Sequence, residues 1–267
     1  MLAKRIIPCL DIKGNRVVKG TRFAQLRDAG DPGSLAASYA AQGADELALL
    51  DISATGENRG TSLAVVSSVA SRAFIPLLAG GGVRTLDDIQ ALLRAGADKV
   101  AINTTAVLNP RLITQAAKRF GSQAVVVAID ARRANLDGQM PGATQRNIAC
   151  RQAAWQVVIR AGSEPTQLDA LWWARMVERL GAGEILLTSM DRDGTRLGYD
   201  IALTRTIARA VNIPVIASGG ASGSASIIAV LREGRADAAL AASIFHYDRA
   251  LPRVKQELKN AGIRVRT

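Results

Sequence analysis

The chain has 267 residues, 48% of them hydrophobic, and a formal net charge of +11. This length allows one large buried core, and the lack of an apolar run near the ~20 residues of a bilayer-spanning helix excludes a membrane span. Without a secretory pattern near residue 1, we expect a cytoplasmic protein. The net positive charge would attract nucleic acid, acidic proteins or phosphorylated metabolites equally well. With 4% aromatic residues, and with Lys and Arg spread over predicted helices, nucleic acid is not the expected partner.

Apolar, β-branched runs alternate with amphipathic segments along the chain. The predicted strands are 5–10, 46–50, 75–79, 98–102, 124–129, 184–188, 213–217 and 237–241. The first helix has clear boundaries, because Asp31 can cap it, Pro32 occupies its first turn and Gly43 ends it. Continuous apolar runs are typical of parallel strands that are buried on both faces. Eight βα units favour an α/β fold, a closed (β/α)8 TIM barrel forming one domain over 1–267, rather than an open doubly wound sheet.

The second half of the chain repeats the first. Asp11 aligns with Asp130 at an offset of 119 (130 − 11). The later pairs share an offset of 138 (184 − 46), and they are Glu46 with Glu184, Pro76 with Pro214 and Gly82 with Gly220. The difference of 19 residues (138 − 119) lies in the loop after Asp130. We therefore expect half-barrels at about 1–120 and 121–267, with an irregular insertion at about 131–165.

Two aspartates end equivalent apolar runs. Asp11 closes the first predicted strand and Asp130 closes the fifth, so the two carboxylates should face each other across the mouth of the barrel. Either aspartate alone could simply cap the turn that follows it. A pair at symmetric positions instead favours catalysis, with one carboxyl as general acid and the other as general base.

Two pairs of small-residue loops also repeat. "GGG" at 80–82 accompanies "INTT" at 102–105, and "SGGAS" at 218–222 accompanies "AAS" at 241–243. Glycine lets the backbone approach an anion closely, and N–H groups at the start of the next helix point towards it. One Gly-Gly loop could be an ordinary turn. Two of them, half a barrel apart, predict an elongated substrate with a phosphate at each end.

The cysteines and the single histidine do not form a recognisable site. Cys9 and Cys150 are far apart in sequence, and the only histidine, His246, is expected to be a surface or strand-end residue. This composition predicts no disulfide framework and no metal site, and it disfavours Cys/His or Ser/His nucleophilic catalysis.

Several long segments resemble a known family in order and almost end to end. They include "KRIIPCLDIKGNRVVKG", "ELALLDISAT", "ADKVAINTTAVLNP", "GAGEILLTSMDRDGTRLGYD" and "IPVIASGGA". The chain is similar to cyclase subunits of imidazole glycerol phosphate synthase, from histidine biosynthesis. The sister isomerase of that pathway shares the half-barrel repeat and the paired aspartates, but "KRIIPCLD" and "LLTSMDRDGT" resemble the cyclase more closely. A non-catalytic barrel that binds nucleic acid or a partner through its basic surface is the third alternative, and the intact aspartate pair disfavours it.

The resemblance implies a lyase-cyclase reaction without a cofactor. Ammonia and a ribulosyl formimino aminoimidazole carboxamide bisphosphate would give imidazole glycerol phosphate and aminoimidazole carboxamide ribotide. It implies catalysis by Asp11 and Asp130, and a loop carrying Lys19 that closes over the substrate. The residues implied to hold the two phosphates are Gly82, Asn103 and Thr104 at one end, and Asp193, Gly194, Gly220, Ala221, Ala242 and Ser243 at the other. Asp193 is expected to orient donors rather than to touch phosphate. The residues expected to bind sugar hydroxyls or to shape the pocket are Asp51, Thr188 and Ser218.

The resemblance also implies a heterodimer. The partner would be a glutaminase, docked on the N-terminal face of the barrel and supplying ammonia. A charged ring that gates ammonia entry in the family is matched by Arg5, Glu46, Lys99 and Glu184. The plainer alternative for these residues is a set of salt bridges that closes the barrel floor. The chain departs from the family mainly in the long segment after Asp130 and at Gln167, where the family has glycine.

Overall fold

The computed structural model describes residues 2–21, 24–134, 154–245 and 250–266, with the backbone alone given for 19–21 and 24–27. In chain order the elements are β1 (Arg5–Lys13), β2 (Arg16–Thr21), β3 (Ala24–Gly30), α1 (Pro32–Ala41), β4 (Leu47–Asp51), α2 (Leu63–Ala73), β5 (Leu77–Gly80), α3 (Leu86–Arg94), β6 (Lys99–Ile102), α4 (Thr104–Leu108), α5 (Arg111–Phe120), a short 3-10 turn (Ser122–Ala124), β7 (Val125–Arg133), β8 (Trp155–Ile159), β9 (Glu164–Asp169), α6 (Ala170–Arg179), β10 (Glu184–Ser189), α7 (Ile201–Ala208), β11 (Val215–Ser218), α8 (Ser224–Arg232), β12 (Ala238–Ala241) and α9 (Leu251–Asn260).

Eight of the strands form a closed parallel barrel. Their order around the barrel is β1, β4, β5, β6, β7, β10, β11 and β12, and β12 pairs with β1 to close the circle. Each strand predicted from the sequence overlaps one of these eight. Helices lie between successive strands, so the predicted (β/α)8 TIM barrel is confirmed.

The apolar runs are continuous because both faces of each strand are buried. One set of side chains fills the interior of the barrel, including Ile7, Ala48 and Leu78. The alternate set packs outward against the helices, including Ile6 and Leu49. Burying an Ile or Leu side chain fully contributes about 1.5–3 kcal/mol, so the two layers together supply the main stabilisation of the fold. No helix in the part of the chain described above is long and apolar enough to cross a bilayer.

Helix starts repeat between the two halves. The carboxylate of Asp31 accepts a hydrogen bond from the backbone N–H of Ser34 at 2.8 Å, as predicted for the cap of α1. Asp169 caps α6 in the same way, accepting from the N–H of Trp172 at 2.7 Å. The two caps are related by the offset of 138 (169 − 31). Each such cap contributes about 1 kcal/mol and fixes where the helix leaves the strand before it.

Each half carries a β-hairpin that the sequence did not predict. β1 and β7 continue beyond the barrel, to Lys13 and Arg133, where they pair antiparallel with β2 and β8. β2 then pairs with β3, and β8 pairs with β9. The sequence-based expectation of an irregular segment over 131–165 is therefore wrong for its described residues. The six residues of β9 are exposed or only partly buried, so its sequence lacks the apolar alternation that would reveal a strand.

The length difference between the halves has a definite position. β1 and β2 are separated by two residues, 14 and 15, whereas β7 and β8 are separated by 21 residues, 134–154. The difference is 19 (21 − 2), which accounts for the whole change of offset. The additional residues thus lie between β7 and β8, and the rest of the two halves correspond.

Candidate active site at the carboxyl ends of the strands

A cavity of about 390 Å³ opens at the carboxyl ends of the barrel strands. It is lined by the predicted site residues Asp11, Asp51, Gly82, Asn103, Thr104, Asp130, Thr188, Asp193, Gly194, Ser218, Gly220, Ala221, Ala242 and Ser243. Of the residues predicted to bind substrate, Lys19 is not among them. Its backbone lies in β2, and its side chain is outside the described residues, as is all of His246. The fold therefore gathers at one site residues that are spread over most of the chain.

The two aspartates occupy equivalent places in the sheet. Asp11 of β1 lies beside Leu50 of β4, and Asp130 of β7 lies beside Thr188 of β10. In both cases the partner belongs to the next strand around the barrel. The thiol of Cys9 donates to Oδ1 of Asp11 at 3.3 Å. The repeat therefore brings two carboxyl groups to one cavity from opposite sides of the barrel.

Asp130 is held in surroundings that favour its protonated form. Removal from water raises the pKa of its carboxyl to about 6, and the negative charge of Asp193 acts in the same direction. Hydrogen bonds from Asn103 and Thr188 oppose this shift, and Asn103 Nδ2 donates to Asp130 Oδ2 at 2.9 Å. A carboxyl group with a pKa near 6 can both give and take a proton close to neutral pH. Asp130 is thus suited to general acid catalysis.

The two glycine-rich loops make close backbone contacts that exclude a side chain. At Gly82, with φ 64°, a Cβ would lie 2.1 Å from the carbonyl oxygen of Arg59. At Gly220, with φ 91°, a Cβ would lie 2.4 Å from the carbonyl oxygen of Gly198. Both positions therefore require glycine for space and for a left-handed backbone.

The preceding glycines make the same contact in each half. A Cβ at Gly81 would lie 2.4 Å from the carbonyl oxygen of Asp51, and one at Gly219 would lie 2.7 Å from that of Ser189. Both pairs are related by 138 residues (219 − 81 and 189 − 51). The fold thus builds two equivalent glycine cradles on opposite sides of the cavity, an arrangement that can hold an anion at each end.

Asp51 shapes this region instead of offering a free carboxylate. Its side chain is fully buried, and its two oxygens accept from the guanidinium of Arg59 at 2.6 and 3.2 Å. Oδ1 also accepts from the backbone N–H groups of Ser53 and Ala54, at 3.2 and 3.0 Å. Of the two roles expected from the sequence, binding of sugar hydroxyls and shaping of the pocket, the geometry supports the second.

Sequence reasoning missed four arginines that line the cavity, namely Arg59, Arg84, Arg160 and Arg196. All four lie in loops that follow barrel strands on the carboxyl side, which is the signal that could have identified them. The backbone N–H of Arg160, in the turn between β8 and β9, donates to Oγ1 of Thr104 at 3.0 Å. The cavity is therefore lined by four guanidinium groups as well as by the carboxyl groups of Asp11, Asp51, Asp130 and Asp193.

A second charged cluster lies at the opposite, N-terminal ends of the strands. Arg5 contacts both Glu46, at 2.6 Å, and Glu184. Lys99 also contacts both glutamates, at 3.0 and 2.8 Å. The glutamate side chains are only 2% and 6% exposed. The four residues thus form a closed ring of alternating charge, called the floor ring below.

The chain matches a known protein family over most of its length. A family model described as histidine biosynthesis protein matches residues 5–250. The match covers nearly the whole chain, so the chain belongs to this family of barrel enzymes of histidine biosynthesis.

Proposed function

We propose that this histidine biosynthesis barrel is the cyclase of imidazole glycerol phosphate synthase, a cytoplasmic lyase. It would combine ammonia with ribulosyl formimino aminoimidazole carboxamide bisphosphate to give imidazole glycerol phosphate and aminoimidazole carboxamide ribotide. The observation that carries the proposal is that Asp11 and Asp130 line one cavity between two equivalent glycine cradles. A substrate with a phosphate at each end would span that cavity and place its middle between the two carboxyls.

The two carboxyl groups divide the proton transfers in this proposal. Asp11 accepts a proton from the attacking amine, and Asp130, whose pKa is raised to about 6, protonates the departing group. Each such transfer contributes about 10² to 10⁴-fold in rate when the donor or acceptor is correctly placed. The cradles at Gly82 and Gly220 contribute by fixing the phosphates, so that the reacting atoms stay between the aspartates.

A glutaminase partner belongs to the same proposal. The floor ring lies at the end of the barrel away from the cavity, where ammonia from a docked subunit would enter. Burying the two glutamates is costly unless they are paired, and the ring pairs each of them with both cations. The net charge of +11 would also favour rapid encounter with an acidic partner.

The sibling isomerase is the second candidate, because it shares the half-barrel repeat and the aspartate pair. The segments "KRIIPCLD" and "LLTSMDRDGT" favour the cyclase. The deciding experiment is to follow the open-chain bisphosphate with ammonium supplied, and in parallel its aldose isomer without ammonium. Consumption of the first only with ammonium supports the cyclase, and isomerisation of the second alone replaces it with the isomerase. If neither substrate reacts, a salt titration of nucleic-acid binding tests the remaining alternative, a binding barrel.

A further inference from the structure

We propose that Arg160 clamps the phosphate held at Gly82, Asn103 and Thr104, so that the two phosphate sites are unequal in strength. The inference rests on the proposed function and deepens it, because it identifies which end of a bisphosphate is held more tightly. It concerns a side chain in the turn between β8 and β9, within the segment where this chain departs from its family.

The turn is fixed against the first phosphate site. The backbone N–H of Arg160 donates to Oγ1 of Thr104 at 3.0 Å. The carbonyl oxygen of Arg160 accepts from Oγ of Ser163 at 2.7 Å, and Arg160 itself has φ 53°. A Cβ at Gly162 would lie 2.3 Å from Cε of Met190, so the turn is also packed against the loop after β10. The side chain of Arg160 therefore starts from a defined point at the cavity wall, next to α4.

The guanidinium of Arg160 has a partner that a phosphate can replace. Its Nε contacts Oε2 of Glu164 at 2.8 Å, and the two side chains are 59% and 52% exposed. Exposed ion pairs of this kind contribute about 0–1 kcal/mol. A phosphate dianion carries more charge than one carboxylate and can accept two parallel N–H bonds from a guanidinium. Exchange of Glu164 for phosphate is therefore favourable.

The other two arginines near this site are committed to the protein. Both Nη atoms of Arg59 are bonded to Asp51, whose side chain is fully buried. Both Nη atoms of Arg84 donate to Asn58, through its side-chain oxygen and its carbonyl oxygen. Arg59 and Arg84 add positive potential, but their guanidinium N–H groups hold the surrounding loops in place. We therefore assign the ligand to Arg160, whose guanidinium is paired with the exposed side chain of Glu164.

The opposite cradle has a different set of charged residues. Arg196 lines the cavity in the same loop as Asp193 and Gly194, so one cation there is accompanied by one carboxylate. Three arginines line the cavity near Gly82 and Thr104. Arg59 is paired there with Asp51 and Glu57, and Arg160 is paired with Glu164, so the advantage of the first site is the guanidinium that Arg160 can transfer from Glu164 to a phosphate. We expect this transfer to make the first site the tighter one.

The test is isothermal titration of inorganic phosphate into the wild-type protein and four variants. Arg160→Gln should weaken the tighter class of sites about ten-fold, as expected for loss of a charge-assisted hydrogen bond. Glu164→Gln should tighten it several-fold by releasing the guanidinium. The double variant should bind like Arg160→Gln, because Glu164 acts through Arg160. Arg175→Gln, on the exposed side of α6, is the control for the same loss of charge elsewhere.

Unchanged binding in Arg160→Gln overturns the clamp, and so does an equal loss in Arg175→Gln, which would show a general field effect. An effect of Glu164→Gln that persists in the double variant overturns it as well. Thermal melting confirms that each variant is folded. Because inorganic phosphate is the probe, these results do not depend on turnover. If Arg160→Gln weakens phosphate binding but the wild-type protein does not convert the bisphosphate, the clamp is supported and the proposed function is wrong.

Discussion

The side-chain amide of Asn103 donates to the carboxylate of Asp130 over 2.9 Å. In the second half the position matching Asn103 is Ala242, the residue after β12. The residue paired with Asp130 is Thr188, whereas the residue paired with Asp11 is Leu50. Duplication thus placed two carboxyls symmetrically, and substitutions at their neighbours made their environments different.

The aspartate pair gives the first prediction. Asp11→Asn and Asp130→Asn should each lower ammonia-dependent cyclase turnover by about 10² to 10⁴-fold, because an amide cannot accept or donate the required proton. Substrate binding, measured by calorimetry, should change little. Asp87→Asn, at a side chain 90% exposed, is the control and should keep full activity. Near wild-type rates in either active-site variant would rule out acid–base catalysis by the pair.

The second prediction concerns the pH dependence of kcat. Activity should fall as Asp130 loses its proton above its pKa of about 6. The hydrogen bond from Asn103 lowers that pKa, so Asn103→Ala should raise it and move the alkaline limb to higher pH. The negative charge of Asp193 raises the pKa, so Asp193→Asn should move the limb to lower pH.

The measurement for this prediction is the ratio of variant to wild-type kcat across the pH range. The ratio is needed because the supply of free ammonia itself increases with pH. It should rise with pH for Asn103→Ala and fall for Asp193→Asn. If the pH profiles of kcat for both variants ran parallel to that of the wild type, Asp130 would not be the group that limits the rate on the alkaline side.

A third prediction separates backbone strain from close packing in the glycine cradle. Gly82 and Gly14 have nearly the same φ, 64° and 61°, so alanine at either position carries similar strain. That strain costs about 1–2 kcal/mol. A Cβ at Gly14 would meet nothing within 4 Å, whereas one at Gly82 would lie 2.1 Å from Arg59. Gly82→Ala should therefore lose more unfolding free energy than Gly14→Ala in urea titration, and it alone should weaken phosphate binding. Equal losses would show that the close approach at Gly82 is relieved at little cost.

The floor ring gives the fourth prediction. With the glutaminase present, Lys99→Ala should lower glutamine-dependent turnover more than ammonia-dependent turnover, because only the first uses the proposed entrance. The variant should also be less stable by about 3–5 kcal/mol, since Glu46 and Glu184 would share Arg5 alone. Lys4→Ala is the matched control, because its pair with Asp237, at 3.2 Å, is more exposed and contributes about 0–1 kcal/mol. An identical change in both rates would mean that the ring has no part in coupling the subunits.

What the sequence could predict follows from what its patterns encode. The eight barrel strands were predictable because both of their faces are buried, as Ile6 and Ile7 show. The gathering of Asp11 and Asp130 at one cavity followed from the repeat and the closure of the barrel. β9 was missed because an exposed strand leaves no apolar alternation. The salt bridge between Asp51 and Arg59 was not predictable, because it depends on the conformation of one loop across eight residues. The periodic spacing of apolar residues carries no information about such a loop.

The position of the additional residues has a consequence for protein engineering. β7 and β8 stay paired from Asp130 with Val158 to Arg133 with Trp155, so both ends of the 134–154 connection are already held side by side. Lengthening a connection of this kind costs only about 0.6 kcal/mol for each doubling. Because the hairpin already holds both ends together, the stability of the barrel should depend little on the length of that connection. A foreign peptide grafted between Arg133 and Trp155 should leave the eight-stranded frame intact and would be displayed beside the mouth of the cavity.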